Sequence, residues 1–242
     1  MISKIPAKKR LADFPNYLIH RAEQLENLYI FTNTEGTPEN IRKFHPNIIV
    51  SSTGSAPLLP PIAGLKDRID NENHNIYSIL GMISHINDFP KDLEGKKVVV
   101  VGGGAVGLDV VEFFADRNAD ISIVEMMDQI GRDLDPVSKN DTKTMMKKHN
   151  VHQLTKTALL EVKDSSFLVR GDGEPYELPF EYGFVCLGMR AQGQLYQNLT
   201  EEFSSEDVEI MNIGDSQRAR RIIDGTQEGR NILTVLEQKG YL

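Results

Sequence analysis

A short apolar run, Lys96 to Val101, breaks into Gly102-Gly103-Gly104-Ala105-Val106-Gly107 and then into a helix-like segment from Leu108 to Asp116. The spacing is G-x-G-x-x-G, and each glycine of the pattern does something a side chain would obstruct. Gly102 lets the chain turn sharply out of a strand. Gly104 leaves the space of a Cβ free for a pyrophosphate, and Gly107 lets the helix pack close to the strand. The first N–H groups of that helix have no partner within it and carry partial positive charge, so they suit an anion. A second apolar run, Ile121 to Val124, ends in Glu125, at roughly the 20-residue distance where such sites place an acid on a ribose. A carboxylate there accepts hydrogen bonds from ribose hydroxyls and repels a 2′-phosphate. The residues that follow, Met126 and Met127, supply no cation to offset it. Strand, glycines, helix, second strand and acid stand in order, and the ligand they fit is NAD(H) rather than NADP(H).

These residues need an α/β framework, and the rest of the chain supplies its pieces. The spacing of Leu11, Phe14, Leu18, Ala22 and Leu25 predicts an amphipathic helix within 7–28, interrupted at Pro15. A short strand is expected at Leu28–Thr32, and a brief helix at Pro38–Lys43 capped by Thr37. A buried strand at Asn47–Ser52 leads into Thr53-Gly54-Ser55-Ala56-Pro57, followed by an extended proline-rich stretch. A helix is expected around Ile76–Ile86, and another at Asp135–His149 with Asp135 as N-cap and Pro136 in the first position. Val151–Leu154 reads as a strand. Thr157–Val162, Phe167–Arg170 and Tyr176–Leu178 alternate around the turn signal Asp172-Gly173. Tyr182–Leu187 reads as a last buried strand ending at Gly188. Val208–Ile213 runs into Gly214-Asp215, and a helix is expected from Arg220 through Leu236.

Composition narrows the function classes. The chain has 242 residues and a formal net charge of −8, without the basic face that nucleic acid requires. No apolar stretch reaches the ~18 residues of a membrane span, and the basic amino end lacks the apolar core of a signal peptide, so a cytoplasmic location is expected. With Cys186 as its one cysteine the chain has no internal disulfide and no paired redox thiols; within Gly183–Leu187 that thiol reads as buried and structural. His20, His45, His74, His85, His149 and His152 show no metal-ligand spacing, and no residue qualifies by motif as a general acid or base. The acids Glu201, Glu202, Glu206 and Asp207 read as a solvated loop. Arg218, Arg220 and Arg221 suit either a phosphate or an exposed helix.

Taken in order, Ser51–Gly64, Lys97–Phe114, Ile121–Gly131 and Asn212–Gly229 resemble the two-dinucleotide-binding-domain flavoprotein superfamily. The resemblance is closer to the C-terminal half of the NADH:flavin oxidoreductases related to 2,4-dienoyl-CoA reductase and trimethylamine dehydrogenase, and it covers nearly the whole chain. It implies a Rossmann-like three-layer NAD-binding domain at 96–195, inserted in a truncated FAD-binding domain formed by 1–95 and 196–242. By the same resemblance Thr53 and Gly54 lie near the flavin, Gly214-Asp215 places a carboxylate on the ribitol, and Gly188 is the glycine turn at the end of the last NAD-domain strand. The pattern departs at Asp109, where Glu is usual, and at Val110 and Val111, where small residues are common.

The family's earlier glycine fingerprint for the ADP part of FAD, its FMN and substrate barrel and its cluster cysteines have no counterpart here. The sequence therefore reads as a fragment that binds NAD(H), holds FAD weakly or not at all, and does not turn over substrate alone. Its residual FAD lobe, short of strands, is expected to repack, to pair with a partner chain, or to be poorly ordered. A competing reading is a non-catalytic NAD(H) sensor or accessory subunit.

Overall fold

The computed structural model describes residues 2–241 and divides into two compact units. The first comprises residues up to Glu26 together with Pro57–Gly188, and the second Asn27–Ala56 with Met189–Leu242. Its limits at Pro57 and Gly188 differ from the 95 and 195 of the sequence reading. The stretch between Pro57 and the glycine motif packs with the larger unit, because Leu65 and Ile76 bury fully in its core.

In the second unit, strand β1 (Ile48–Ser51) and helix α2 (Pro38–Arg42) precede β2 (Ser55–Pro57). The Thr37 hydroxyl caps α2 by accepting the Asn40 N–H at 3.2 Å. In the first unit, β3 (Ile76–Tyr77), β4 (Lys97–Val101), β5 (Asp120–Val124), β6 (His152–Leu154) and β10 (Tyr182–Val185) form a five-stranded sheet of order β3-β10-β4-β5-β6, parallel throughout. Such a sheet is covered on both faces, which explains the unbroken valines of β4. Val99 and Val101 face a core with Phe167, Val169 and Phe180, contributed in part by an antiparallel meander β7 (Ala158–Val162), β8 (Ser166–Arg170) and β9 (Tyr176–Pro179). On α5 (Ala105–Ala115), which packs on β4, β5 and β10, Phe114 lies 4.8 Å from Phe184 and 5.2 Å from Phe89, ring centre to ring centre. Val110 and Val111 are completely buried, so α5 packs despite their bulk.

Three elements before the glycine motif differ from expectation. Residues 7–28 split into a 3₁₀ segment, Pro6–Ala12, and α1 (Asp13–Glu23), which takes Pro15 into its first turn, where a missing N–H costs nothing. The segment 76–86 is divided between β3 and α4 (Ile79–Ser84), because the Ser78 hydroxyl caps a new helix at the Gly81 N–H. No strand forms at Leu28–Thr32: Tyr29, Ile30 and Phe31 are exposed and no neighbouring strand takes their backbone hydrogen bonds. Helix α6 (Pro136–Lys148) starts where expected, with Asp135 accepting from the Val137 and Ser138 N–H groups.

The second unit pairs β1 in parallel with β12 (Glu209–Asn212), and β2 with β11 (Met189–Ala191). Its core is Ile49, Leu199 and Phe203, with α7 (Gln194–Glu202) packed on β12. The helix expected over Arg220–Leu236 breaks at Asn231 into α8 (Ile222–Arg230) and α9 (Ile232–Gln238). Glu202 and Glu206, read from sequence as solvated, both pair with Arg42, whose guanidinium lies 4.7 Å from the centre of the Phe203 ring.

Candidate functional site

A cleft of about 580 Å³ opens in the first unit at the C-terminal ends of β4, β5 and β10. Ligands of open α/β sheets bind at this edge. Gly102, Gly104, Glu125 and Gly188 all line it, with Val106, Met126, Thr157 and Leu187.

The three motif glycines meet different constraints. Gly102 has φ +108°, and a Cβ on it would fall 2.2 Å from the Cys186 carbonyl oxygen. Gly107 lies where α5 crosses the end of β4; its Cβ would fall 1.9 Å from the Gly102 oxygen. Gly104 is the opposite case. It is exposed, and nothing lies within 4 Å of a Cβ there. It precedes α5 as an N-cap without a capping side chain, so the first N–H groups of the helix face the opening without a competing acceptor.

Glu125, just past β5, is half-buried at the glycine turn. One carboxylate oxygen accepts the Gly103 N–H at 2.7 Å and the other accepts the Met127 N–H, also at 2.7 Å. Each oxygen retains capacity for another donor. Gly188, at φ +108°, turns the chain out of β10, and its carbonyl accepts the Leu58 N–H at 2.9 Å. Beneath the cleft, Cys186 is buried and its thiol pKa is pushed up to about 12 by burial, so it stays protonated and inert at neutral pH. On α5, burial raises the Asp109 carboxyl above its ordinary range, and the Lys8 ammonium 3.1 Å away partly offsets this.

In the second unit the other motif residues come together. The Thr53 hydroxyl donates to the Gln192 carbonyl at 2.6 Å, and the Gln192 N–H returns to the Gly54 carbonyl at 3.0 Å. Gly54 and Gly214 both take left-handed backbone, φ +76° and +67°, with open space where a Cβ would stand. Ser55 donates to Asp215 at 3.2 Å, which ties the two motifs to each other. Sequence reasoning missed Ser55 and Glu228. The latter accepts the Gly214 N–H at 2.6 Å and pairs with Arg220. No local pattern announces either: Ser55 and Asp215 lie 160 residues apart, and the 14-residue step from Gly214 to Glu228 matches no spacing rule. The buried Ser51 hydroxyl, two residues before Thr53, has no hydrogen-bond partner among the described residues.

Among the described residues no group of three or more His, Cys, Asp or Glu side chains is placed to hold a metal, and no helix is long and apolar enough to cross a membrane.

Comparison with known proteins places this geometry. Residues 25–211 match the pyridine nucleotide-disulphide oxidoreductase model, and the chain belongs to that family. It is 26% identical to a metal reductase of Desulforamulus reducens, over 93% of this chain and 36% of the relative. It is 24% identical to an NADH oxidase of Thermoanaerobacter brockii, over 94% of this chain and 33% of the relative. The chain thus spans about a third of the length of these curated relatives. Among solved structures, a 2-naphthoyl-CoA reductase shares the fold with a TM-score of 0.77 at 21% identity, covering 94% of this chain and 32% of that one. A histamine dehydrogenase from Rhizobium sp. 4-9 does so with a TM-score of 0.75 at 14% identity, covering 96% and 38%. The fold is the Rossmann-like α/β fold of this oxidoreductase family, whose members use nicotinamide nucleotides and flavin.

Proposed function

We propose that this chain forms the nicotinamide-nucleotide-binding part of a flavin-dependent oxidoreductase and binds NADH in preference to NADPH. One observation carries the reading. The glycine turn leaves open space at Gly104 in front of the uncapped start of α5, while the Glu125 carboxylate is held at the rim of the same cleft. The open turn fits a pyrophosphate: a Cβ at Gly104 would occupy the space, and the helix start supplies unpaired N–H donors. Glu125, fixed by two backbone N–H groups, keeps free lone pairs for ribose hydroxyls and opposes a 2′-phosphate. Apolar Leu159, Leu187 and Ile62 line the rest of the cleft and exclude water from a bound ring.

When bound, the nicotinamide supplies a hydride and the flavin accepts it. In this reading Thr53, Gly54 and Asp215 serve the flavin side. Their support is the shared geometry of the second unit, where open glycine turns, an aspartate with spare acceptor capacity and the unmet Ser51 hydroxyl stand on neighbouring segments. The two-stranded β1–β12 sheet offers little more to grip a dinucleotide, so flavin is expected to bind this chain weakly or not at all.

The test is fluorescence titration of the purified chain with NADH and NADPH, alongside its Gly104→Ala variant, after recording flavin absorbance. The reading expects NADH to bind, NADPH to bind more weakly and the variant to lose affinity while keeping its melting temperature. Equal affinity of wild type and variant would contradict the site, and stoichiometric flavin would contradict the weak flavin hold.

A further inference from the structure

Gly103 is buried, so both its backbone N–H and its carbonyl must be satisfied inside the protein. Its N–H is taken by Glu125 at 2.7 Å. Its carbonyl accepts the N–H of Gly131 at 2.7 Å. Gly131 belongs to the loop after β5, is itself buried, and reaches this position with left-handed backbone at φ +66°. Its own carbonyl accepts the Leu134 N–H at 3.1 Å, closing a tight turn before α6. A Cβ on Gly103 would meet the Glu125 carboxylate at 3.0 Å and Ile130 at 3.1 Å, so the loop presses on the glycine turn by side chain as well as by hydrogen bond.

We propose that Gly131 is a positioning residue for the nucleotide cleft: its left-handed turn holds the Gly103 carbonyl while Glu125 holds the Gly103 N–H, and this bracket sets the direction in which the peptides from Gly104 onward present their N–H groups. The proposal rests on the nucleotide-binding reading above. The bond joins two stretches of chain and fixes the orientation of a peptide rather than touching the ligand. Gly131 suits the task because left-handed backbone is strained for residues with a Cβ and strained most for β-branched ones, whereas asparagine adopts it readily.

The experiment uses the full chain, with Gly131→Val and Gly131→Asn variants, read by NADH titration, melting temperature and amide hydrogen exchange of Gly103 without nucleotide. Gly131→Val is expected to weaken NADH binding roughly tenfold, the equivalent of one lost hydrogen bond, and to speed exchange at Gly103. Gly131→Asn, whose backbone tolerates the turn but whose amide sits beside Leu134 and Leu108 (Cδ1 atoms 3.1 and 3.5 Å from the new Cβ), is expected to fall between wild type and valine in both. A folded Gly131→Val chain with wild-type affinity and wild-type exchange at Gly103 would overturn the proposal. So would an asparagine variant as impaired as the valine one. If the wild-type chain binds no NADH, the functional reading falls. The exchange data still decide whether Gly131 fixes the turn: faster exchange at Gly103 in the valine variant supports it, and unchanged exchange refutes it.

Discussion

At Gly104 and Gly107 the same substitution meets opposite surroundings, and the difference separates binding from folding. Alanine at 107 drives a Cβ to 1.9 Å from a backbone oxygen that cannot swing away, so α5 must lift from β4. Overpacking of this kind costs roughly 1–3 kcal/mol or more, and Gly107→Ala is expected to lower the melting temperature in a thermal scan. Alanine at 104 meets open space, so its effect should fall on nucleotide affinity alone. Glu125 carries a second residue-level prediction. Glu125→Gln keeps an acceptor for the Gly103 N–H but removes the charge, and is expected to narrow the NADH-over-NADPH preference about tenfold in paired titrations. Cys186 sets a pH dependence. Burial raises its pKa to about 12, so the folded chain holds the thiol proton more tightly than the unfolded chain does. Stability from this group is complete below the ordinary thiol value near ~8.5 and is lost as pH climbs toward the folded value, by at most about 1.4 kcal/mol per pH unit. Comparing denaturation midpoints of wild type and Cys186→Ala between neutral and strongly alkaline pH checks this. A gap between the two proteins that does not narrow as pH rises would refute it.

Element by element, what was legible in the sequence is what short-range chemistry decides. The Asp135 cap and Pro136 start α6 as their types require, and the valines of β4 announce a strand buried on both faces. Asp135→Ala is expected to destabilise the chain at neutral pH. Hydrogen bonds from Ser138 hold the Asp135 carboxyl below its usual range, so the cap's contribution is present above the ordinary carboxylate value and lost as pH falls through the lowered one. Melting curves of wild type and variant should therefore converge in acid. The elements misjudged are those that depend on distant neighbours. Leu28–Thr32 has the composition of a strand but no strand beside it. Ile76–Ile86 divides because β10 recruits Ile76 and Tyr77 into the sheet. In the candidate site, the gathering of Gly102, Gly104, Gly107 and Glu125 about one turn was legible because all four belong to one strand-turn-helix-strand unit. Gly131, Ser55 and Glu228 were not, since each acts through a hydrogen bond whose partner no spacing rule supplies.

Considered as a whole molecule, the chain carries unequal units. The first buries a five-stranded sheet between helices and a meander, while the second rests on two strand pairs and a small core of Ile49, Leu199 and Phe203. Unpaired strand edges and few buried contacts favour local opening. Amides of β4, β5 and β10 should therefore exchange with solvent far more slowly than those of β1 and β12, and comparable protection in both sets would contradict this account of the second unit. All residues lining the proposed nucleotide cleft belong to the first unit. The most direct measurement is calorimetric titration of the purified chain with NADH and then with NADPH. The account predicts a single NADH site and markedly weaker NADPH binding; no heat with either, or tighter binding of NADPH, would contradict it.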